Sequence, residues 1–280
     1  WQAFGMQACP TSCHACPAMI PRLLSQTWKS DRLTGEAARC RDSWLRLNPQ
    51  LNYRLHDDSA SRAVVADVAP EFLAVYDALP FPVMRADIYR YAVIHRDGGL
   101  YADIDMECLR PLPDSLFATG CLLAEEARLT RRRMAELGYP APVQIANCIF
   151  GARPGHPFFL AALQRAFTLA QAAPHADRSA IEDITGPRML TRLFFEQAWP
   201  DVSVTPNVVL MAPLHYPYIW PVNRNMYARH RTFGTWKEKL GRKALSRTWI
   251  ERNLQPNPFP PAILADRPGY LRALGAPEHA

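Results

Sequence analysis

Asp103 and Asp105 stand one residue apart at the end of an apolar run, in the segment LYADID. Side chains of an extended strand alternate with period two, so on such a strand both carboxylates point the same way and can address one cation. Hard oxygen donors with few His or Cys close by suit Mg2+ or Mn2+, ions that usually complete their shells with substrate phosphate. Two acids closing a buried strand cost several kcal/mol to desolvate unless a cation or hydrogen-bond donors compensate them. A purely structural pair would sit more comfortably in a turn. Asp87 and Arg90 lie three apart on the preceding helical stripe and so share a face, and Gly98-Gly99 folds that stripe back beside the two acids. There a carboxylate could hold a ribose and a guanidinium a phosphate; an ordinary ion pair within one helix accounts for the same spacing.

Positioning these groups requires a sheet. Residues 20–28 (IPRLLSQTW) read as a first buried strand, and Ala37, Cys40, Trp44, Leu45 and Leu47 recur at helical spacing until Asn48-Pro49. Residues 51–55 alternate as a second strand, which makes strand, helix, strand, the opening of an α/β sheet. His56-Asp57-Asp58 follows at the strand end, where open sheets place ligand loops, although surface-turn chemistry explains it equally. Residues 61–78 read as short helices broken by Pro70. Met84, Ile88, Tyr91, Ala92 and Ile94 form one helical stripe that Gly98-Gly99 ends. Residues 100–104 read as a buried strand, with further strands at 121–125 and 144–150 and helices near 157–173 and 187–198. Beyond about residue 205 prolines and aromatics dominate and no regular element is assigned.

Composition narrows the classes. The chain has 280 residues, 49% hydrophobic and 21% charged, enough to bury a sizeable core without metals or disulfides. Its 13 Gly and 26 Pro show no three-residue period, which excludes a collagen-like chain. No run reaches the 18 or so apolar residues that span a bilayer. The net charge of +6 favours acidic ligands such as phosphates or an anionic membrane surface. Only Lys29, Lys237, Lys239 and Lys243 are lysines. The arginines are spread along the chain instead of forming a stripe, so no nucleic-acid partner is expected, and Arg131 to Arg133 read as a solvated loop. Of seven cysteines, Cys40, Cys108, Cys121 and Cys148 stand alone in apolar contexts and read as buried thiols. Cys9, Cys13 and Cys16 have the spacing of an iron–sulfur or zinc site, yet disulfides or free thiols in a flexible leader are the expectation.

Four blocks together carry a resemblance: IPRLLSQTWK from Ile20, RADIYRYAVIHRDGGLYADID from Arg85, NCIFGARPGHPFF from Asn147 and ITGPRMLT from Ile184. In this order they resemble the DxD-containing sugar transferases of glycosyltransferase family 32, which includes the mannosyl inositol phosphorylceramide synthases and initiating mannosyltransferases. The family's His before Gln-Thr-Trp is Ser25 here.

The resemblance implies an α/β fold of GT-A type: a Rossmann-like nucleotide-sugar-binding domain over residues 20–253, with a C-terminal acceptor-side extension. A Cys-containing leader would cover residues 1–19, and a Pro-rich tail over residues 254–280 would wrap the surface. By the same resemblance Trp28 would lie near the nucleotide base, with Asp87, Arg90, Tyr91, Gly99 and Asn147 around the nucleotide sugar. Asp103 and Asp105 would be the catalytic pair, holding Mn2+ or Mg2+ on the diphosphate. His230, followed by Phe233-Gly234-Thr235-Trp236, would be a third metal ligand. Asn147 and Asp183 could line the donor sugar, with structural roles equally open to both.

The implied reaction moves a hexose, mannose by preference, from GDP-mannose or a UDP-hexose to a hydroxyl of a glycan or glycolipid, with retention. Membrane association would follow, in the Golgi lumen of a eukaryote or at the cytoplasmic membrane face of a bacterium. The chain opens on Trp1 instead of Met, which leaves room for an upstream signal or anchor. Two other readings compete. A phosphatase could use the first Asp of a DxD as nucleophile, but Glu107 replaces its usual Thr or Val and no lysine lies between Lys29 and Lys237. A non-catalytic glycan-binding relic is the second.

Overall fold

Leu23, Leu24, Ser25 and Gln26 are all buried, so β1 (Leu23–Thr27) is covered on both faces, as a strand inside a parallel sheet must be. The computed structural model, which describes residues 19–199, 201–211, 225–231, 252–255 and 262–276, sets it between two parallel partners. These are β2 (Asn52–His56) and β3 (Gly99–Ala102). Helix Gly35–Leu47 makes the first crossover, and helices Asp58–Val68 and Pro82–Asp97 belong to the second. A short strand β4 (Met106–Cys108) follows, then β5 (Cys121–Leu129), β6 (Val143–Ala152), β7 (Val202–Thr205), β8 (Ala228–His230), β9 (Leu254–Gln255) and β10 (Ala265–Asp266).

The main sheet runs β10-β7-β5-β6-β3-β1-β2, with β9 on β5, while β4 and β8 form a separate ribbon. β6 is antiparallel to both β3 and β5, and β7 is parallel to β5. Strands β1, β2, β3, β5 and β7 therefore run in one direction, and their carboxyl ends share one edge. An α/β sheet places its ligands at such an edge, and the two acids lie there. The α/β expectation holds.

Two apolar layers clamp the sheet. On one face Phe150, Phe159, Phe167 and Phe194 are fully buried together with Ile88 and Tyr91 of helix Pro82–Asp97; each such side chain stabilises the fold by about 2–3 kcal/mol relative to exposure. On the other, Trp44, Leu116, Phe117, Val208 and Val209 pack together, and the Trp44 indole N–H donates to the Met106 carbonyl at 2.8 Å. That bond ties the first helix to β4, directly after the two acids.

The entry into β3 explains its paired glycines. Helix Pro82–Asp97 has Pro at its first turn and ends at Gly98, with φ 68°, followed by Gly99 with φ 86°. A Cβ on Gly99 would lie 2.6 Å from the Leu23 carbonyl oxygen. Gly99→Ala should therefore lower stability by about 3 kcal/mol, from left-handed backbone strain and main-chain overlap. Urea unfolding reads this directly; a loss under about 1 kcal/mol would show that β1 and β3 can separate to admit the methyl.

Several elements differ from expectation. Arg131 to Arg133 open a helix, Arg131–Leu137, capped by Thr130 Oγ1, which accepts the Arg133 N–H at 3.2 Å. In residues 254–280, β9 pairs with β5, β10 adds an edge to β7, and helix Arg267–Leu274 buries Tyr270 and Leu271 in the core. Strands of two residues are too short to show any period. Cys40, Cys108, Cys121 and Cys148 are free and buried; Cys9, Cys13 and Cys16 lie outside the described residues.

Candidate active site

β3 stops at Ala102, so Asp103 to Asp105 form a turn instead of extending the strand. The two carboxylates converge through that turn and not by strand alternation. Its backbone is tightly held. Asp103 N–H donates to the Cys148 carbonyl at 2.8 Å, and the Asp103 carbonyl accepts from Met106 N–H at 2.9 Å. Gln26 Nε2 donates to the carbonyls of Asp103 and Ala102 at 3.0 and 3.2 Å, with its own oxygen accepting from Tyr53 O–H at 3.0 Å. A glutamine buried in the middle of β1 thus has a specific duty: it pins the acidic turn.

The β4–β8 ribbon supplies the third group. Met106 pairs with His230, and Arg231 N–H donates to the Asp105 carbonyl at 2.9 Å. His230 Nε2 consequently lies 3.1 Å from Asp105 Oδ1. One ligand atom from each of Asp103, Asp105 and His230 falls within 4.8 Å of the others. Two carboxylate oxygens and one imidazole fit a hard divalent ion that keeps further positions for water or phosphate. The electrostatics agree. Burial raises the Asp103 pKa, Arg90 opposes that and Asp105 adds to it, so the pair carries a desolvation cost that a cation would offset. Burial disfavours a charged His230, but Cys148 and Asp105 beside it outweigh this and hold its pKa well above that of free imidazole.

Behind this cluster stands a buried brace. Arg90 Nη2 lies 3.1 Å from Asp103 Oδ1 and 3.3 Å from Asp87 Oδ1, while Nη1 donates to the Asn147 carbonyl at 2.6 Å. Its guanidinium carbon sits 4.9 Å from the centre of the Tyr101 ring, whose hydroxyl donates to Asp103 Oδ1 at 2.6 Å. Asp87 accepts from Asn147 Nδ2 at 3.1 Å and from Thr185 Oγ1 at 2.7 Å. Burial pushes its pKa up to about 7, with Arg90 and the Thr185 hydroxyl pulling the other way.

Asp87, Arg90, Asn147, Asp103, Asp105 and His230 thus meet in one network. The sequence placed Asp87 and Arg90 against the nucleotide sugar; at 2% and 4% exposure their polar atoms are engaged by the protein, and the arginine fork braces Asp103. Two expected residues stand apart. Tyr91 points into the core, stacked on Phe150, with its hydroxyl donating to the Thr185 carbonyl at 2.8 Å. Gly99 begins β3, at the end away from the acids. Trp28 directly follows β1 at the carboxyl edge, half-buried, its main-chain N–H donating to the His56 carbonyl at 3.1 Å. A cavity of about 250 Å³ is lined by Thr27, Asp58, Ser61, Arg62, Tyr76 and Arg85, and Trp28 is not among its lining residues. Asp183 is engaged by Arg188 and Arg192 at 2.9 and 2.7 Å. Phe233 to Trp236 lie outside the described residues.

Gln26, Tyr101, Cys148 and Thr185 were not singled out from the sequence. All four sit inside the blocks that carry the resemblance, Gln26 in IPRLLSQTWK, Tyr101 in GGLYADID, Cys148 in NCIFGARPGHPFF and Thr185 in ITGP, but their partners are remote in sequence, so nothing local marked their roles.

A mixed α/β sheet gathers two acids and a histidine at its carboxyl edge, and comparison with known proteins finds glycosyltransferases. The family described as the glycosyltransferase sugar-binding region containing a DXD motif matches residues 35–123. Inositol phosphoceramide mannosyltransferase 3 of Schizosaccharomyces pombe is 30% identical over 71% of this chain and 52% of its own length. The mannosyl phosphorylinositol ceramide synthase SUR1 of Saccharomyces cerevisiae is 27% identical over 71% of this chain and 48% of its own. A solved structure titled PaToxG Glycosyltransferase aligns with a TM-score of 0.49 at 15% identity, over 64% of this chain and 70% of its own. Residues 35–123 thus match the sugar-binding region of the DXD-containing glycosyltransferases, and the chain is similar to mannosyltransferases of the family 32 type. It spans about half the length of the curated relatives it matches.

Proposed function

We propose that this chain transfers a hexose, mannose by preference, from a nucleoside diphosphate sugar to a hydroxyl of a glycolipid or glycan, with a divalent ion on the diphosphate. The observation that carries the reading is the convergence of Asp103, Asp105 and His230 at the carboxyl edge of the sheet. A divalent ion held there would neutralise charge developing on the departing diphosphate, an electrostatic contribution of several kcal/mol. Asp103 and Asp105 orient that centre, and Arg90 and Tyr101 keep Asp103 from turning away from it. The cavity lined by Thr27, which precedes Trp28, supports the nucleoside end, because it offers hydroxyls, carboxylates and guanidinia to a base and ribose. Retention follows from the family resemblance, by a route in which the departing phosphate accepts the acceptor's proton.

The acceptor reading rests on the relatives named for inositol phosphoceramide, and a lipid headgroup acceptor would bring the protein to a membrane surface. No helix among the described residues is long and apolar enough to cross one. Glu107, which stands where a DxD phosphatase carries Thr or Val, is held by Arg229 and Arg231 at 2.7 and 3.2 Å.

The test is donor turnover. The purified chain, given GDP-mannose and UDP-hexoses in turn with Mn2+, Mg2+ or a chelator, should release nucleoside diphosphate from one donor, only with metal, and faster with inositol phosphoceramide present. Equal turnover in chelator, or none with any donor in a folded sample, would overturn the reading.

A further inference from the structure

The ladder between β1 and β3 ends just before the acidic turn. It pairs Leu24 with Leu100 and Ser25 with Tyr101, while β1 continues beside β2 through Gln26 and Thr27. Past that point a side chain bridges the strands. Gln26 Nε2 donates to the Asp103 carbonyl at 3.0 Å and to the Ala102 carbonyl at 3.2 Å. A primary amide nitrogen carries two hydrogens, one for each oxygen. The Asp103 carbonyl also accepts the Met106 N–H at 2.9 Å, so both its lone pairs are used. The other end of the amide is held too: the hydroxyl of Tyr53, which pairs with Leu24 on β2, donates to Gln26 Oε1 at 3.0 Å. Turned around, the amide would set its oxygen against two carbonyl oxygens, so its orientation follows from its partners.

We propose that Gln26 and Tyr53 are positioning residues of the candidate metal centre: the Tyr53 hydroxyl orients the Gln26 amide, and the amide fixes the main chain of the acidic turn so that Asp103 and Asp105 converge with His230. The inference rests on the metal reading of that cluster and adds two residues to it. Because the acids leave the sheet in a turn, no ladder sets their spacing. Two like charges repel, and a turn whose carbonyls were released would let them move apart. Gln26 is fully buried, so no water takes over its two bonds. Both bonds go to the main chain, which means that the pair acts on the acids through the backbone. An amide suits the place because it is neutral: a cation there would compete with the metal, and a carboxylate would repel both the carbonyls and the acids. Partners behind ligating groups commonly change metal affinity by about 10–100-fold when removed.

The comparison is among wild type, Gln26→Met, which keeps the bulk and loses both donors, Tyr53→Phe, which loses only the hydroxyl, and the double variant. Direct Mn2+ binding, read from the signal of free Mn2+ by electron paramagnetic resonance, should weaken about 10-fold or more in Gln26→Met and about threefold or more in Tyr53→Phe. If Tyr53 acts through Gln26, adding Tyr53→Phe to Gln26→Met should change the affinity by less than about twofold, since residues in one network do not add. A second readout needs no metal: the side-chain amide protons of Gln26 should exchange slowly in wild type and faster in Tyr53→Phe. Thermal melting identifies any variant that fails to fold. Should Gln26→Met be one, Tyr53→Phe decides alone, because it removes a single half-buried hydroxyl. Wild-type affinity in the folded variants would overturn the assignment. So would losses that add in the double variant, which would mark two separate packing effects, or fast exchange of the Gln26 amide in wild type. Wild type that binds no Mn2+ would remove the metal reading itself, and this pair with it.

Discussion

Asp103→Ala and Asp105→Ala should each lower kcat/KM for donor turnover by about 10²–10³-fold while leaving the fold in place. Both residues lie in a turn after β3, not within the ladder, and the turn's main-chain bonds to Cys148, Met106 and Gln26 do not involve either side chain. Removing either carboxylate deletes one of three convergent donors and one negative charge, so a divalent ion would lose much of its hold. Loss of a preorganised stabiliser of a leaving group typically costs about 3–4 kcal/mol in the transition state, which is the fold-change given. The two variants should differ in stability. Asp105→Ala frees His230 from its carboxylate partner, whereas Asp103→Ala also removes a partner of Arg90 and of the Tyr101 hydroxyl. Steady-state assays across Mn2+ concentration test the first claim. Full activity in either purified variant at saturating donor would sink the metal role, and with it the assignment of the acidic turn.

The parts of this site that could be read from sequence are those with local signals. An apolar run ending in two acids, a helical stripe and a Gly-Gly stop identify β3, the Pro82–Asp97 helix and the turn, because periodicity and backbone conformation are short-range properties. Their direction was less legible. A spacing of three places Asp87 and Arg90 on one helix face but says nothing of whether that face meets solvent or core, and here it meets the core. The strand-alternation argument reached a convergent pair of acids by the wrong path, since β3 ends at Ala102, two residues short of the expected strand. His230 was reached through a motif; the reason it arrives at the acids is the three-residue β4–β8 ribbon, too short for any pattern. Gln26 and Cys148 look like an ordinary polar strand residue and a buried thiol until the long-range register sets one beneath the turn and the other beside the histidine.

Arg90 is where the largest loss of stability is expected. Arg90 is 4% exposed and its guanidinium is shared by two carboxylates and a carbonyl, so Arg90→Leu would leave the buried Asp87 and the partly buried Asp103 as neighbouring acids with their cation gone. Breaking a buried pair by deleting one partner typically costs about 3–5 kcal/mol, more than the hydrogen bonds alone are worth, because the stranded charge keeps its desolvation cost. Arg90→Lys retains the charge and loses the fork, so it cannot serve Asp103, Asp87 and the Asn147 carbonyl together; a loss of about 1–3 kcal/mol is expected. The sign with pH follows from Asp87. Its folded-state pKa, pushed up to about 7 by burial, exceeds the ordinary value of 3.8, so the folded protein binds that proton more tightly than the unfolded chain. The stability this contributes is complete below the unfolded value and is lost as pH rises through about 7. Removing Arg90 takes away the main opposition to that shift, so the deficit of Arg90→Leu should be largest near pH 8 and shrink toward pH 5, where the acids are able to take up protons. Urea unfolding of wild type and variant at both pH values measures the difference. A deficit that is flat with pH, or under about 1 kcal/mol at pH 8, would mean that Arg90 does not neutralise the buried acids, and the brace behind the acidic turn would have to be sought elsewhere.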